Sequence, residues 1–472
     1  MVMGELVYDV DVVVLGGGPG GYTAAIRAAD LGKEVMVVES RPTLGGVCLT
    51  EGCIPSKTLI NAVGLVENIK NSEKMGLVSK GVKLDTDKLR QWIQTIVDNL
   101  STGIATLLEN RDIEVVHGHA RFIDDHKIYV DGTNTNIRFK HAIIATGSRI
   151  NELPAGIDLP LWTSATALQL PEIPKSLLVI GGGYIGLEIG QAYAGLGSQV
   201  TMAEYNPKFL SGADQDLVNV VIKKCKEQFS AIHTGSKVTG IEKIKTGYLV
   251  TFEKNKKIFN GEFNKILVAT GRRPNTDDLG LDVLGIQVDK RGLIETDDQC
   301  RTIKKHIFAV GDITKGPALA HKASREGKVA AEVIAGHLSA FDNVAVPAVL
   351  FTNPEIAWTG ITETKAKEKN IPFKKGKFPL TALGRAKSMG KTRGFVKIIA
   401  DPESLLILGV GIAGEHASEL ISEGTLAIEM GATLEDLIVS IHPHPTFSES
   451  MMEAAEMAAD GSVHMIKRKS NA

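Results

Sequence analysis

The sequence Asp9-Val10-Asp11-Val12-Val13-Val14-Leu15-Gly16-Gly17-Gly18-Pro19-Gly20-Gly21 passes from a run of aliphatic residues into a cluster of glycines. The aliphatic run predicts a buried strand from Tyr8 to Leu15. The residues from Tyr22 to Leu31 predict a helix that begins directly after the glycines. A strand, a glycine-rich turn and a helix in this order are typical of a unit that binds a dinucleotide.

Each glycine of this turn is needed for a different physical reason. Gly16 permits the tight turn, Gly18 lets the backbone approach a pyrophosphate, and Gly21 lets the helix pack closely on the strand. The helix N-terminus offers unpaired N–H groups and a partial positive charge to the phosphates. A second predicted strand, Glu34 to Val38, ends at Glu39, whose carboxylate is expected to accept hydrogen bonds from ribose hydroxyls.

The same pattern occurs a second time. Residues 177–186 again place aliphatic residues before a set of glycines, which are Gly181, Gly183 and Gly186. Glu204 follows Gly181 at the same interval at which Glu39 follows Gly16. The chain therefore contains two similar nucleotide-binding units, and two dinucleotides in one chain imply a transfer between them. Because the 2′-phosphate of NADP would favour Arg at this position, Glu204 favours NAD in the second unit.

Between the two units lies a turn that holds two of the four cysteines, Cys48 and Cys53. Two residues at this spacing on an ideal helix would be about 8.6 Å apart at Cα, whereas a disulfide needs about 4.4–6.8 Å. A disulfide would therefore need irregular backbone, which Gly52 permits. A loop this short gains little stability from a crosslink, so a reversible redox pair explains the cysteines better. Spacing alone also leaves open two buried small residues, or half of a metal site.

The composition is that of a globular protein: 472 residues, of which 43% are hydrophobic and 23% charged. This length predicts roughly two to four domains. A formal net charge of −2 argues against nucleic-acid and anionic-membrane partners. No apolar run approaches the length of a membrane span, and the start of the chain lacks the features of a secretory signal. Four cysteines are too few for a secreted disulfide framework, so we expect a cytoplasmic location.

The last part of the chain, from about Val346, contains no glycine fingerprint and is expected to be α+β. It includes Ile441-His442-Pro443-His444-Pro445-Thr446-Phe447-Ser448-Glu449, in which prolines and a β-branched residue stiffen the backbone around His444. A histidine that needs a fixed tautomer requires a partner on its other ring nitrogen, and Glu449 is placed to be that partner. On this pattern alone, a hydrogen-bonded surface histidine stays open as the alternative.

Taken together, these features resemble the flavin-dependent pyridine nucleotide–disulfide oxidoreductases over nearly the whole chain. The segments that carry the resemblance are residues 16–21 with Glu39, 45–57, 181–188, 269–275, 308–312 and 319–323, and His444-Pro445-Thr446 with Glu449. The resemblance implies an α/β fold with two Rossmann-like dinucleotide-binding domains and an α+β dimerisation domain. The expected limits are 1–149 for the first part of the FAD-binding domain, 150–274 for the NAD-binding domain, 275–345 for the return segment of the FAD-binding domain, and 346–472 for the dimerisation domain.

The resemblance also implies which residues hold the two cofactors, FAD in the first unit and NAD in the second. The expected FAD-binding residues are Gly16, Gly18, Gly21, Glu39, Lys57, Ala120, Asp312 and Ala320. The expected NAD-binding residues are Gly181, Gly183, Gly186, Glu204, Val238, Gly271 and Arg272. No metal is expected.

Catalytic roles follow from the same resemblance. Cys53 would lie against the flavin, and Cys48 would be the outer thiol that exchanges with substrate. Lys57 would pair with Glu188 beside the flavin. His444, oriented by Glu449, would act as the acid–base group and would come from the partner subunit of a homodimer.

The reaction that the resemblance implies is oxidation of protein-bound dihydrolipoamide, with electrons passing through the Cys48–Cys53 disulfide and FAD to NAD. The partner would be the lipoyl carrier domain of a 2-oxoacid dehydrogenase complex or of a glycine-cleavage-type system. The alternative is a glutathione-reductase-like enzyme that acts on a different small disulfide.

The sequence departs from the family pattern at two places. Pro443 precedes His444 where a small residue is usual. Thr50-Glu51 stands where the family more often has Asn-Val. A carboxylate between the two thiols is expected to disfavour a thiolate.

Overall fold

The computed structural model describes residues 6–78, 81–151 and 159–466. The predicted fold class is confirmed: the chain forms two α/β nucleotide-binding units followed by an α+β domain. Within these residues, no helix combines the length and the apolar character that crossing a membrane requires.

The first unit is a sheet built around the aliphatic run, with helices on its faces. Its elements are β1 (Leu6–Leu15), α1 (Pro19–Asp30), β2 (Val35–Glu39), α2 (Gly46–Thr50), α3 (Cys53–Asn71), α4 (Thr86–Glu109), β3 (Glu114–His117), β4 (His119–Asp124), β5 (Lys127–Asp131) and β6 (Thr135–Ile144). The strand order is β3-β2-β1-β6-β5-β4, and β1 pairs in parallel with both β2 and β6. A strand in this position buries both of its faces, which explains the nearly unbroken valine run.

The second unit repeats the parallel core and adds a separate antiparallel sheet. Its elements are β7 (Ser148–Ile150), α5 (Ser164–Leu168), β8 (Ser176–Ile180), α6 (Tyr184–Leu196), β9 (Gln199–Glu204), α7 (Gln215–Gln228), β10 (Ala231–Thr234), β11 (Lys237–Ile244), β12 (Gly247–Lys254), β13 (Lys257–Phe263), β14 (Lys265–Val268) and β15 (Arg272–Pro274). The parallel sheet has the order β10-β9-β8-β14, and β11-β12-β13 form the antiparallel one. The chain enters this unit through β7 and leaves it through β15, and these two strands pair with each other.

The chain then returns to the first unit through β16 (Ile307–Ala309) and α8 (Ala320–Ile334). β16 pairs in parallel with β6 and so completes a seven-stranded sheet. α8 packs against α1 so closely that a Cβ at Gly327 would lie 2.4 Å from the carbonyl oxygen of Gly20. This return brings residues 311–320 to the first glycine turn.

The last domain is a five-stranded antiparallel sheet with helices on it. Its elements are β17 (Ala348–Leu350), β18 (Glu355–Gly360), α9 (Glu363–Glu368), β19 (Lys374–Pro379), α10 (Gly384–Ser388), β20 (Phe395–Ala400), β21 (Ile407–Gly414), α11 (Ala417–Glu429), α12 (Leu434–Val439) and α13 (Glu449–Ala459). The strand order is β17-β18-β21-β20-β19. α13, which begins at Glu449, packs against β19 and β20.

The contact between α13 and β19 predicts a sharp effect of adding one methyl group. A Cβ at Gly376 would lie 2.0 Å from the carbonyl oxygen of Ala454 and 2.3 Å from the N atom of Ala458. Because these are backbone atoms of a helix, we expect Gly376→Ala to lower the free energy of unfolding by about 1–3 kcal/mol. Thermal unfolding followed by circular dichroism measures the change. The control is Gly384→Ala, where a Cβ meets nothing within 4 Å; equal melting temperatures for the two variants would contradict the close packing.

Candidate active site

The first glycine turn is held by the acid at the end of β2. Gly16 has a φ of +107°, and a Cβ at Gly21 would lie 1.7 Å from the carbonyl oxygen of Gly16, so both positions require glycine. One carboxylate oxygen of Glu39 accepts a hydrogen bond from the Gly17 N–H at 2.7 Å, and the other accepts from the Arg41 N–H at 2.9 Å. Glu39 therefore stabilises the turn itself, a contact that was not predicted from the sequence.

The second glycine turn has the same arrangement. Gly181 has a φ of +109°, and a Cβ at Gly186 would lie 2.0 Å from the carbonyl oxygen of Gly181. The carboxylate of Glu204 accepts from the Gly182 N–H at 2.6 Å and from the Asn206 N–H at 2.7 Å. The sequence repeat is therefore also a repeat of the hydrogen bonds that hold each turn.

A cavity of about 750 Å³ runs along the first glycine turn and reaches both thiols and the start of α6. This volume lies in the range of about 300–1,000 Å³ that is usual for small-molecule sites. The predicted site residues that line it are Gly16, Gly18, Glu39, Cys48, Cys53, Lys57, Ala120, Glu188, Arg272, Asp312 and Ala320. The cavity thus collects residues from widely separated parts of the sequence, including most of those expected to hold FAD.

Most of the residues expected to hold NAD lie outside this cavity. Gly181, Gly183 and Gly186 form the second turn, and Glu204 holds it. Gly271, with a φ of +114°, directly precedes β15. Val238 lies on β11, where its partly buried side chain packs against the apolar core of the second unit.

Cys48 and Cys53 lie in α2 and at the start of α3, and the helix is interrupted between them at Glu51-Gly52. Both are free thiols in this structure, and they hydrogen-bond with each other. This contact and the charge of Lys57 outweigh the effect of burial and lower the pKa of Cys53 to about 7. The same contact, together with burial, raises the pKa of Cys48 above its usual range. Near neutral pH the pair therefore favours a thiolate at Cys53 and keeps the proton on Cys48.

The other two cysteines have no comparable surroundings. Cys225 and Cys300 are buried, and burial raises the pKa of each to about 12. They are therefore expected to be inert toward thiol reagents at neutral pH. The described residues contain no group of three or more His, Cys, Asp or Glu side chains that could hold a metal ion.

Lys57 forms an ion pair with Glu188, with Nζ 2.9 Å from Oε2. The same carboxylate oxygen accepts from the Ser56 hydroxyl at 2.9 Å, and the other oxygen accepts from the Phe351 N–H at 3.0 Å. The Lys57 ammonium also lies 4.5 Å from the centre of the Phe351 ring. The contacts of Phe351 with this pair were not predicted, and no local sequence signal points to them.

Asp312 belongs to a second polar group along the cavity. Its carboxylate accepts from the Ser148 hydroxyl at 2.5 Å, and the Arg272 Nε donates to the Ser148 oxygen at 2.8 Å. Ser148 therefore links Arg272, which is expected to bind NAD, to Asp312, which is expected to bind FAD. This group lies where β7 and β15 join the two units.

Glu51 is paired with a cation. Its carboxylate forms an ion pair with Arg41, at 3.0 Å between Oε1 and Nη1 and 3.2 Å between Oε2 and Nη2. Glu51 is not among the groups that most strongly shift the pKa of Cys53, which are Cys48, Lys57 and Glu188. The expectation that Glu51 disfavours a thiolate stays a prediction, and it did not include the long-range contact with Arg41.

His444 lies apart from the cavity. Its Nδ1 is 2.7 Å from Oε1 of Glu449, and Oε2 of Glu449 accepts from the Thr446 N–H at 2.8 Å. Burial would raise the pKa of Glu449, but the hydrogen bonds from His444 and Thr446 lower it below its usual value. The His444 side chain is 77% exposed, and neither residue lines the cavity. Within a single chain, the imidazole and the thiols are therefore not brought together.

A dithiol beside one nucleotide turn, in a cavity that also reaches a second nucleotide unit, defines an enzyme that moves electrons between thiols and dinucleotides. Residues 10–327 match the model of the pyridine nucleotide-disulphide oxidoreductase family, and residues 346–455 match that family's dimerisation domain. The chain belongs to this family, which confirms the resemblance seen in its sequence. The family uses FAD and NAD, and its dimerisation domain indicates a homodimer.

Curated relatives are similar over the full length. The chain is 46% identical to a dihydrolipoyl dehydrogenase of Bacillus subtilis and 47% identical to one of Geobacillus stearothermophilus, over 99% of this chain and 100% of each relative. Among solved structures, the HOCl-induced flavoprotein disulfide reductase RclA from Escherichia coli superposes with a TM-score of 0.84 at 28% identity. That match covers 95% of this chain and 99% of the other.

The contact between the thiols predicts how Cys53 titrates. In the reduced enzyme, Cys48→Ala removes the hydrogen-bond donor, so the pKa of Cys53 should rise from about 7 toward its usual value. Cys48→Ser keeps an O–H donor and should raise the pKa less. The rate of iodoacetamide alkylation at Cys53, measured against pH by peptide mass spectrometry, reports the midpoint. Equal midpoints in the two variants would contradict the hydrogen bond.

Proposed function

We propose that this protein oxidises dihydrolipoamide on a lipoyl carrier domain and passes the electrons through Cys48, Cys53 and FAD to NAD. The observation that carries the proposal is the thiol pair with opposite pKa shifts, in one cavity with Lys57 and the starts of α1 and α6. Full-length similarity to proteins named dihydrolipoyl dehydrogenase supports the choice of substrate.

The residues around the cavity fit FAD. A Cβ at Gly46 would lie 2.7 Å from Cα of Gly18, so the cavity wall here is backbone rather than side chain. The start of α1 presents N–H groups to a pyrophosphate. Glu39 and Ala120 would hold the adenosine end of FAD, while Lys57, Asp312 and Ala320 would hold the remainder. When bound, FAD supplies two-electron chemistry, accepting electrons from the thiol pair and giving hydride to NAD.

The second glycine turn also fits a dinucleotide, because its backbone is accessible. A Cβ at Gly183 would meet nothing within 4 Å, so the backbone is open to a pyrophosphate at that point. We propose that Gly181, Gly183, Gly186 and Glu204 hold NAD, with Gly271, Arg272 and Val238 as further contacts.

The thiol chemistry follows from the two pKa shifts. Starting from the Cys48–Cys53 disulfide, a lipoyl thiol gives its proton to a base, and the resulting thiolate attacks Sγ of Cys48. The disulfide breaks and Cys53 leaves as the thiolate that its lowered pKa favours. The second lipoyl thiol then attacks the lipoyl sulfur that is bonded to Cys48, and Cys48 leaves. The base returns the first proton to Cys48, takes the proton of the second lipoyl thiol and releases it to solvent. Lipoamide has lost two electrons and gained its disulfide, and the cysteines have gained the two electrons.

His444 of the partner subunit is the proposed base. Glu449 holds its Nδ1 at 2.7 Å, which leaves Nε2 to take the thiol proton. Because the pKa of Glu449 is lowered, its carboxylate stays charged and stabilises the protonated imidazole. The exposure of His444 is what a residue that serves a second copy requires.

Three further features are part of the proposal. The lipoyl group would come from a 2-oxoacid dehydrogenase complex or a glycine-cleavage-type system. The proposed location is the cytoplasm, where the two thiols can cycle and Cys225 and Cys300 stay reduced. The proposed domain limits are 1–149, 150–274, 275–345 and 346–472; the pairing of β7 with β15 supports both ends of the range 150–274.

Complementation tests whether thiols and imidazole come from different subunits. Homodimers of Cys53→Ser and of His444→Gln should each lose dihydrolipoamide oxidation. A mixed dimer should regain about half of the wild-type turnover, because one of its two sites combines intact thiols with an intact His444. Doubly tagged, co-expressed dimers allow the measurement.

The matched control is a mixed dimer of Cys53→Ser with Cys48→Ser. Both defects then lie in the thiol pair, so no site is intact and activity should stay absent. An inactive Cys53→Ser/His444→Gln dimer would contradict the assignment of His444 to the partner subunit.

The choice of substrate is tested by turnover with four pairs of reactants. We expect NADH with lipoamide to give the highest kcat/KM, and NADPH to be at least about tenfold poorer because Glu204 stands where a 2′-phosphate would favour Arg. The same assay with oxidised glutathione covers the alternative. If the enzyme prefers NADPH and oxidised glutathione, the proposal of lipoamide as substrate is wrong and glutathione takes its place. The proposed thiol chemistry would be unchanged.

A further inference from the structure

We propose that Arg41 is a positioning residue for the thiol pair: it neutralises and tethers Glu51, which makes a carboxylate tolerable between Cys48 and Cys53. The inference rests on the proposed redox role of these cysteines, and it concerns the contact between Arg41 and Glu51. Its test reads thiol reactivity and does not depend on lipoamide turnover.

The tether is geometrically well defined. Two nitrogens of the Arg41 guanidinium face the two oxygens of Glu51, at 3.0 and 3.2 Å, which is the bidentate arrangement that arginine forms best with carboxylates. Nη1 of Arg41 also donates to the Thr50 hydroxyl at 3.3 Å, and that hydroxyl donates to the Gly46 carbonyl at 3.0 Å. Thr50 and Glu51, where the resemblance would more often give Asn-Val, are therefore bound to the same guanidinium.

Glu51 is the last side chain before the turn that separates the thiols. A Cβ at Gly52 would lie 2.9 Å from the carbonyl oxygen of Val47, so the turn itself has no side chain by which it could be held. Glu51 directly follows α2, and Cys53 begins α3. A contact on Glu51 therefore acts on the segment that sets how Cys48 faces Cys53.

At its other end, Arg41 is fixed to the first nucleotide turn. Its N–H donates to Oε1 of Glu39 at 2.9 Å, and Oε2 of Glu39 accepts from the Gly17 N–H at 2.7 Å. A continuous series of contacts thus joins the glycine turn to the thiol turn. Arg41 and Glu51 both line the cavity, so the series follows the wall that would face FAD.

The charges near Cys53 explain why compensation matters. The groups that shift its pKa are Cys48, Lys57 and Glu188. Without Arg41, Glu51 would add an uncompensated negative charge beside these groups, and a negative charge disfavours a thiolate. Arg41 and Glu51 are 35% and 39% exposed, so solvent screens part of this effect.

A double-mutant cycle in a Cys48→Ser background tests the proposal. The variants are Arg41→Gln, Glu51→Gln and the two combined, each prepared with FAD bound and compared at equal flavin content. The readout is the rate of iodoacetamide alkylation of Cys53 between pH 6 and 9. We expect Arg41→Gln to slow alkylation at pH 7 by about threefold through a higher midpoint. Adding Glu51→Gln should restore the rate to within about twofold.

The control is Arg27→Gln, which breaks an ion pair with Glu332 on the helices of the first unit; Arg27 is 40% exposed, close to the 35% of Arg41. It should leave the alkylation of Cys53 unchanged. An Arg41→Gln variant with normal alkylation, or a double variant no faster than Arg41→Gln, would overturn the proposal. If lipoamide turnover is absent in the wild type while the cycle behaves as expected, the proposed substrate fails and the role of Arg41 stands.

Discussion

The buried carboxylate of Glu188 is the constraint on which the arrangement of the site depends. It is 3% exposed, and its oxygens accept from Lys57 and Ser56 on α3 and from the Phe351 N–H after β17. A buried charge is tolerated only when it is paired and hydrogen-bonded. The first unit, the second unit and the last domain therefore have to meet at this residue. The same ion pair acts on Cys53, whose pKa is lowered mainly by Cys48, further lowered by Lys57 and raised by Glu188, so the interaction that joins the domains also contributes to the pKa of this thiol.

The glycine turns are a second shared constraint. In each turn, an acid at the end of the neighbouring strand accepts from a glycine N–H, at 2.7 Å for Glu39 and 2.6 Å for Glu204. The acid is thus needed for the conformation of the turn before any ribose arrives. Its distance along the sequence from the glycines is fixed by the helix and strand that lie between them, which is why the interval is the same in both units.

The sequence was sufficient for the features that depend on local pattern. The strand–turn–helix units, the α+β character of the last domain and the family all follow from residue order. The sheet formed by β11, β12 and β13 was missed, although Tyr248, Val250 and Phe252 alternate as buried residues along β12. The contact of Phe351 with Lys57, and that of Arg41 with Glu51, join residues whose proximity no local pattern encodes. The expectation about Glu51 likewise considered its charge without the partner Arg41.

The shifts of the two thiols explain why the site of one chain is chemically incomplete. The pKa shifts favour the thiolate of Cys53 and the protonated form of Cys48. Cys48, the thiol that is proposed to react with substrate, therefore requires an acid–base group. Among the described residues that line the cavity, His119 is the single histidine. It begins β4 beside Ala120, which we propose holds the adenosine end of FAD, so His119 is not assigned to Cys48. His444 is exposed, and with Glu449 it belongs to the dimerisation domain. The thiols of one chain lack a base, and the imidazole of the same chain lacks a thiol to serve. In a two-fold dimer each chain would supply the imidazole for the thiols of the other, so both sites would be complete.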